Sequence, residues 1–188
     1  MSGYTIIAGE KGNYQQVSSD GAAHVRLTYS STGVIITASQ TRPDNTTAYD
    51  ALDVVGAIPA ANITFANVLT IAGGTFVILG ACLRIDRNAI PAGMSSFRLH
   101  LYNVAPTAIA DNAAYNLPVA DRAGYLGFVT IPTPLVLGDT VWAQVSDVNF
   151  VGKLAAGSTS LFGILQTMSI FTPTALTVKT IALNVAAL

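Results

Sequence analysis

Residues 75–86 read TFVILGACLRID, and this stretch decides the fold class. Alternation places Val77, Leu79, Ala81, Leu83 and Ile85 on one face of a long strand. Its first half is apolar on both faces, as in a sheet covered on both sides. Residues 96–104, SFRLHLYNV, alternate more plainly. Phe97, Leu99 and Leu101 face one way, and Arg98, His100 and Tyr102 face the other. That pattern predicts a half-buried strand with His100 turned to solvent or to an interface. Gly73-Gly74 and Ile90-Pro91-Ala92-Gly93 supply turns ahead of the two strands.

Working outward, the same reading finds further strands. Residues 23–29 and 34–38 flank Ser30-Ser31-Thr32-Gly33 and predict a hairpin. Residues 63–71, 124–131, 139–148, 159–171 and 175–186 complete the set. The last changes parity between Leu176 or Val178 and Ile181, which predicts a bulge near Lys179-Thr180. Residues 105–123 have no period and read as a long loop, with a helical turn around 112–115. Eight or nine strands with turns about every 10 residues predict an all-β fold, a β-sandwich or jelly-roll-like chain. The segment ahead of residue 46 is richer in polar turns. It predicts an N-terminal extended arm or hairpin over 1–45 that serves interaction, followed by the sandwich over 46–188.

The composition fits a β protein. Glu10 is the only glutamate, the other nine acids are Asp, and lysine occurs only at 11, 153 and 179. Glutamate favours helices, whereas aspartate favours turns and caps. Of the 188 residues 51% are hydrophobic and 10% charged, with a net charge of −1. An ordinary soluble chain carries about 25% charged residues. Disorder is excluded, because it needs low hydrophobicity and high net charge. Nucleic-acid binding is not expected, because no basic surplus exists to neutralise phosphates. Membrane insertion or extensive burial against partners remains. Residues 54–83 and 154–178 are uncharged, but Pro59, Gly73-Gly74 and Pro173 cut them into strand-length pieces. The start lacks the basic region of a signal peptide. Partner burial without a membrane is therefore the expectation.

No arrangement of residues carries chemistry. His24 and His100 are the only histidines, and no G-x-S-x-G occurs. Two dispersed histidines do not make a zinc site. Cys82 is alone and predicts a buried, inert thiol. Asp44, Asp50 and Asp53 cluster, but without calcium-loop spacing, so turn and cap duty is expected. No enzyme activity and no cofactor are expected. The interaction candidates are Tyr4, Ile6, Ile7 and Tyr14 in the apolar N-terminal segment, where an otherwise fraying end can add a strand to another sheet. Arg42, Asp44 and Tyr49 form a second candidate group, in a loop.

Residues 41–56, TRPDNTTAYDALDVVG, resemble a segment of virion-associated proteins of tailed bacteriophages, where R-P-x-x-T-T-x-Y precedes D-V-V. Residues 98–103 (RLHLYN), 121–129 (DRAGYLGFV) and 138–145 (GDTVWAQV) share the resemblance. It implies a β-sandwich or jelly-roll accessory protein of the virion. The role implied is capsid decoration, or cement, on the head surface, in a particle assembled in the bacterial cytoplasm. The implied partners are the chain itself, as a homotrimer, and the major capsid protein. No catalytic or binding residue defines the resemblance, so none is carried over. Two alternatives are a receptor- or glycan-binding tip domain of a tail fibre, and a tail, connector or baseplate component.

Overall fold

Alternating β-branched and aromatic runs, cut by Gly, Pro, Asn and Asp, fold as antiparallel strands. The computed structural model describes residues 33–57 and 62–188, and the backbone of three short strands before them. Those three are β1 (Ile6–Ala8), β2 (Tyr14–Val17) and β3 (Ala23–His24), an antiparallel sheet in the order β1-β2-β3. They belong to a unit spanning Met1–Ser30, and Ser31–Leu188 form a second unit.

The second unit holds β4 (Val34–Thr41), β5 (Ile63–Phe65), β6 (Thr75–Ile85) and β7 (Phe97–Tyr102). After a 3-10 turn at Val119–Asp121 come β8 (Tyr125–Ile131), β9 (Leu135–Leu137), β10 (Thr140–Lys153), β11 (Leu161–Thr167) and β12 (Val178–Ala187). Two sheets result, β4-β12-β6-β10-β9 and β5-β11-β7-β8. The pairing is nested. The first strand pairs the last (β4 with β12), then β5 pairs β11, β6 pairs β10 and β7 pairs β8. A long two-stranded ribbon rolled on itself produces this order, which is that of a jelly roll.

Between the sheets lies the core. Phe76, Ile78, Leu83 and Ile85 of β6 pack with Phe97, Leu99 and Leu101 of β7, all buried. Each fully buried side chain of this size stabilises by about 1.5–3 kcal/mol relative to exposure.

The elements depart from the sequence reading in several places. Of the expected 23–29/34–38 hairpin, residues 25–32 lie outside the described residues, and the described ones pair elsewhere. Among the described residues β3 pairs β2, and β4 pairs β12 through eight positions from Val34↔Val185 to Thr41↔Val178. The expected boundary at residue 45 moves to Ser30–Ser31, because β4 is a strand of the sandwich. Strand 63–71 stops at Phe65, although Val68 and Leu69 are still buried. Near 112–115 the chain makes a non-helical turn, with the Ala113 amide donating to the Ala110 carbonyl at 3.3 Å, and the 3-10 turn lies later, at Val119–Asp121. In β12 no bulge occurs at 179–180. Lys179, Ile181, Leu183 and Val185 all face inward, Leu176 lies outside the strand, and the register shifts between Asn184 and Val185.

The correction within β6 has the clearest cause. Phe76 and Ile78 are buried, Leu79 is 37% exposed, and Ala81, Leu83 and Ile85 are buried. The inward face thus changes parity at Leu79, which is skipped in both pairings of β6. A bulge of this kind adds a residue and bends the strand. Gly80 permits it, since a Cβ there would lie 2.9 Å from the Val145 carbonyl oxygen.

Candidate functional site

Of the N-terminal candidates, Ile6 and Ile7 lie in β1 and Tyr14 in β2, while Tyr4 falls outside the described residues. In the second group the structure separates the residues by role. Arg42 and Tyr49 are buried, and Asp44 is exposed together with 45–48. Arg42 holds the loop from beneath. Its Nε donates to Tyr49 Oη at 2.9 Å, its Nη2 donates to Asn45 Oδ1 at 2.9 Å and to the Thr47 carbonyl at 3.1 Å, and its Nη1 donates to the Asn45 carbonyl.

This loop rests on a buried charged cluster that the sequence did not reveal. Tyr49 Oη donates to Asp111 Oδ1 at 2.6 Å, and the Gly56 amide donates to the same oxygen at 2.9 Å. Arg42 Nη2 stands 3.7 Å from Asp111 Oδ2, with both side chains almost fully buried. Lys179, 5% exposed, donates to the Gly56 carbonyl at 3.2 Å. Burial lowers the Lys179 ammonium from 10.5 to about 8, with Asp111 opposing and Arg42 adding to the shift. Burial and the hydrogen bond to Asp111 raise the Tyr49 phenol. Beside the cluster a cavity of about 30 Å³ is lined mainly by apolar groups, among them Val55, Ile85, Met94 and Phe171. The cluster is a structural clamp: it ties residues 42–56 to the 111 turn and to β12.

The outer face of the four-stranded sheet is covered by the 105–123 loop. His100, expected at the surface, is 4% exposed. Tyr115 stacks on it with ring centroids 3.8 Å apart. Gln166 Nε2 donates to the Leu52 carbonyl at 2.9 Å, which turns Oε1 towards His100 Nε2 at 3.0 Å. His100 Nε2 therefore donates there, and Nδ1 accepts from Tyr125 Oη at 3.0 Å. Burial lowers the His100 pKa, with the Gln166 bond opposing and Arg98 reinforcing. Tyr102 and Tyr115 share a 2.6 Å hydroxyl contact, and burial followed by Tyr115 pushes the Tyr125 phenol up to about 12. The ring is locked between neutral partners. Nothing in this arrangement activates it as a base or nucleophile.

The outer face of the five-stranded sheet is different, because no described segment of the sandwich covers it. Three rows cross its strands. Ser39, Thr180, Arg84, Trp142 and Leu135 form one. Thr37, Ala182, Cys82 and Gln144 form the next, and Ile35, Asn184, Gly80 and Ser146 the third. Within the first row Ser39 and Thr180 hydroxyls meet at 2.8 Å, and Arg84 Nη2 donates to Thr180 Oγ1 at 3.3 Å. Arg84 is the only charged residue in these rows, and Asp86 stands 3.4 Å from its Nε. Ile35 (70% exposed), Leu135 and Leu137 bring apolar area to the edges of the face. Cys82, expected in the core, lies half-buried at the middle of this face.

Among the described residues no group of three or more His, Cys, Asp or Glu is placed to hold a metal ion. No helix among them is long and apolar enough to cross a membrane.

No family model matches the chain, and no curated protein matches it. Among solved structures, one of Israel acute paralysis virus is similar at 12% identity and a TM-score of 0.30, over 98% of this chain and 95% of that one. A structure of black queen cell virus is similar at 11% identity and a TM-score of 0.23, over 99% and 84%. A structure of infectious bursal disease virus, Gx strain, follows at 11% identity and a TM-score of 0.19, over 100% and 46%. Similarity at these scores carries no argument about fold or role.

Proposed function

We propose that the chain is a non-enzymatic structural protein of a virion. Its role is a capsid decoration, or cement, protein of the tailed-bacteriophage kind, which stabilises the head by contacts to the major capsid protein and to its own copies as a homotrimer. The observation that carries this reading is the nested jelly roll with one broad, nearly uncharged sheet face left open. Jelly rolls serve capsid and lectin domains alike, and fold alone does not assign function. The surface chemistry favours assembly. A protein held at a lattice needs large neutral contacts, and obligate interfaces are more apolar than ordinary surface. The buried polar clusters are consumed in holding loops, which fits a scaffold better than a reaction centre.

In this reading Tyr4, Ile6, Ile7 and Tyr14 supply a docking strand to the shell or to a neighbour. Asp44 and the exposed 45–48 tip, braced by Arg42 and Tyr49, supply a second contact. The test is cosedimentation of the purified chain with head shells of the encoding phage that lack it. The full chain is expected to bind and to raise the temperature at which the shells open. Deleting the first 20 residues is expected to weaken binding at least tenfold. No binding by the full chain, together with selective retention on a glycan array, would replace this reading with that of a receptor-binding tip domain.

A further inference from the structure

We propose that the middle of the 105–123 loop, around Tyr115, is an acid-released strap on the four-stranded sheet, with His100 beneath it as the trigger. The strap covers a buried cluster of Val54, Tyr102 and Ile164, against which Ile109, Tyr115 and Leu117 of the loop pack. Val54 donates to the Ala113 carbonyl at 2.8 Å and accepts from the Asn112 amide at 3.0 Å, and the Tyr115 amide donates to the Leu52 carbonyl at 3.0 Å. The Tyr115 ring lies on His100, and its hydroxyl meets that of Tyr102. A carboxylate anchors the loop on either side. Asp111 accepts from Tyr49 and the Gly56 amide, and Asp121 accepts from the Thr107 amide at 2.9 Å and hydroxyl at 3.1 Å. The two anchors leave the Tyr115 segment between them as the part that can lift.

The setting of the ring favours its neutral form. Both of its hydrogen-bond partners, Gln166 and Tyr125, are uncharged. Each element packed around it brings its own groups. β7 supplies Arg98 and Tyr102, β8 supplies Tyr125, β11 supplies the neutral Gln166, and the loop supplies Tyr115. Arg98 lies over the Phe128 ring at 4.8 Å and opposes a second positive charge on its strand. The carboxylates of the neighbouring segments are engaged elsewhere: Asp53 accepts from the Asp50 amide at 2.7 Å, and Asp111 and Asp121 serve as the anchors. Burial holds the imidazole below its ordinary 6.5, with the Gln166 bond opposing and Arg98 reinforcing.

A proton on Nδ1 upsets this arrangement. Both ring nitrogens then donate. Gln166 Oε1 still accepts from Nε2, but Tyr125 Oη faces a new N–H and must turn its own hydrogen away. That hydrogen can turn towards Tyr115, with which Tyr125 already interacts, and there it meets the hydroxyl that Tyr115 shares with Tyr102 at 2.6 Å. The imidazolium gains no anion, and a buried charge is costly unless it is paired. Lifting Tyr115 off the ring lets water reach the charge. The closed strap thus binds the proton less readily than the open one. Closure weakens as the pH falls below about 6.5, by at most about tenfold per pH unit for one proton.

The experiment is amide hydrogen exchange of the full-length chain between pH 7 and 5, each rate divided by the intrinsic rate at that pH. The window lies above the range in which carboxylates ordinarily titrate. The Asn112 and Tyr115 amides are expected to lose about three- to thirtyfold in protection, while those of β6 and β12 keep theirs. His24→Gln leaves His100 as the only histidine. In that variant the same loss is expected, and the imidazole resonance should titrate below 6.5. His100→Gln, which cannot charge, is expected to hold the protection constant across the window. His100→Phe, which keeps a ring under Tyr115, repeats the test should His100→Gln fail to fold by circular dichroism.

Loop protection that stays constant down to pH 5 in the natural chain overturns the inference. So does a fall that persists in the His100 variants, which assigns the pH dependence to another group. A fall shared equally by β6 and β12 also overturns it, because the whole sandwich is then unfolding. A His100 midpoint at 6.5 or above does the same, since a closed strap that disfavours the proton must lower it. The strap does not depend on the virion role, and none of these outcomes bears on binding to phage heads.

Discussion

At the scale of single residues, the buried Arg42–Tyr49–Asp111–Lys179 cluster carries the sharpest consequences. Asp111 is the one carboxylate among its charged members, and it faces two cations. Removing one partner of a buried ion pair leaves charge uncompensated, which costs about 3–5 kcal/mol. Asp111→Asn is therefore expected to destabilise by about 3 kcal/mol or more in urea unfolding. Tyr49→Phe, which removes only the hydroxyl bridge, is expected to cost about 1–3 kcal/mol. Lys179 adds a pH dependence. Its folded pKa, about 8, lies below the unfolded 10.5. Between those values the unfolded chain binds more protons than the folded one, so stability rises with pH across the window. The rise amounts to about 3 kcal/mol at most. Below pH 8 both states are protonated and the contribution is flat. Above pH 10 the raised Tyr49 phenol reverses the slope, since the folded chain keeps a proton that the unfolded chain loses. Urea midpoints from pH 7 to 10 should climb for the natural chain and climb less for Lys179→Met.

At the scale of elements, the sequence reading located most strands and missed how they pair. Alternation is a local signal, and it placed β6, β7, β8, β10, β11 and β12 within a few residues. Pairing in a jelly roll is not local. β4 meets β12 across more than 130 positions, as Val34↔Val185 shows, and no turn dipeptide marks such a contact. The adjacent Ser30–Gly33 turn therefore suggested the wrong partner for β4. Burial was misread where a strand is covered twice. The polar alternates of β7, His100 and Tyr102, are buried because the 105–123 loop lies over them, and an aperiodic loop gives no sign of what it covers. The clamp was hidden for the same reason: Arg42, Asp111 and Lys179 are scattered in sequence and converge only in the fold. Gly80 is the element-scale test of the bulge in β6. Gly80→Val would drive a side chain towards the Val145 carbonyl on β10. Overpacking of this kind costs about 1–3 kcal/mol, and the loss should appear as a thermal midpoint lowered by about 2–10 °C for a chain of this length.

At the scale of the whole molecule, the sandwich divides its two faces between different tasks. The four-stranded face is sealed by its own loop and a neutral histidine–tyrosine network. The five-stranded face is covered by no described segment of the sandwich, and the Arg84 charge on it is paired locally with Asp86. A chain with 10% charged residues can keep so neutral a face in a crowded particle if that face meets another protein surface. The proposed role in virion assembly is tested most directly by a density map of the intact particles to which that proposal assigns the chain. Jelly-roll density of this strand order is expected on the head exterior, in lattice-ordered copies, with residues 1–30 reaching a neighbouring subunit. Particles whose heads are complete and stable without this chain, and whose density contains no such sandwich at any position, would contradict it.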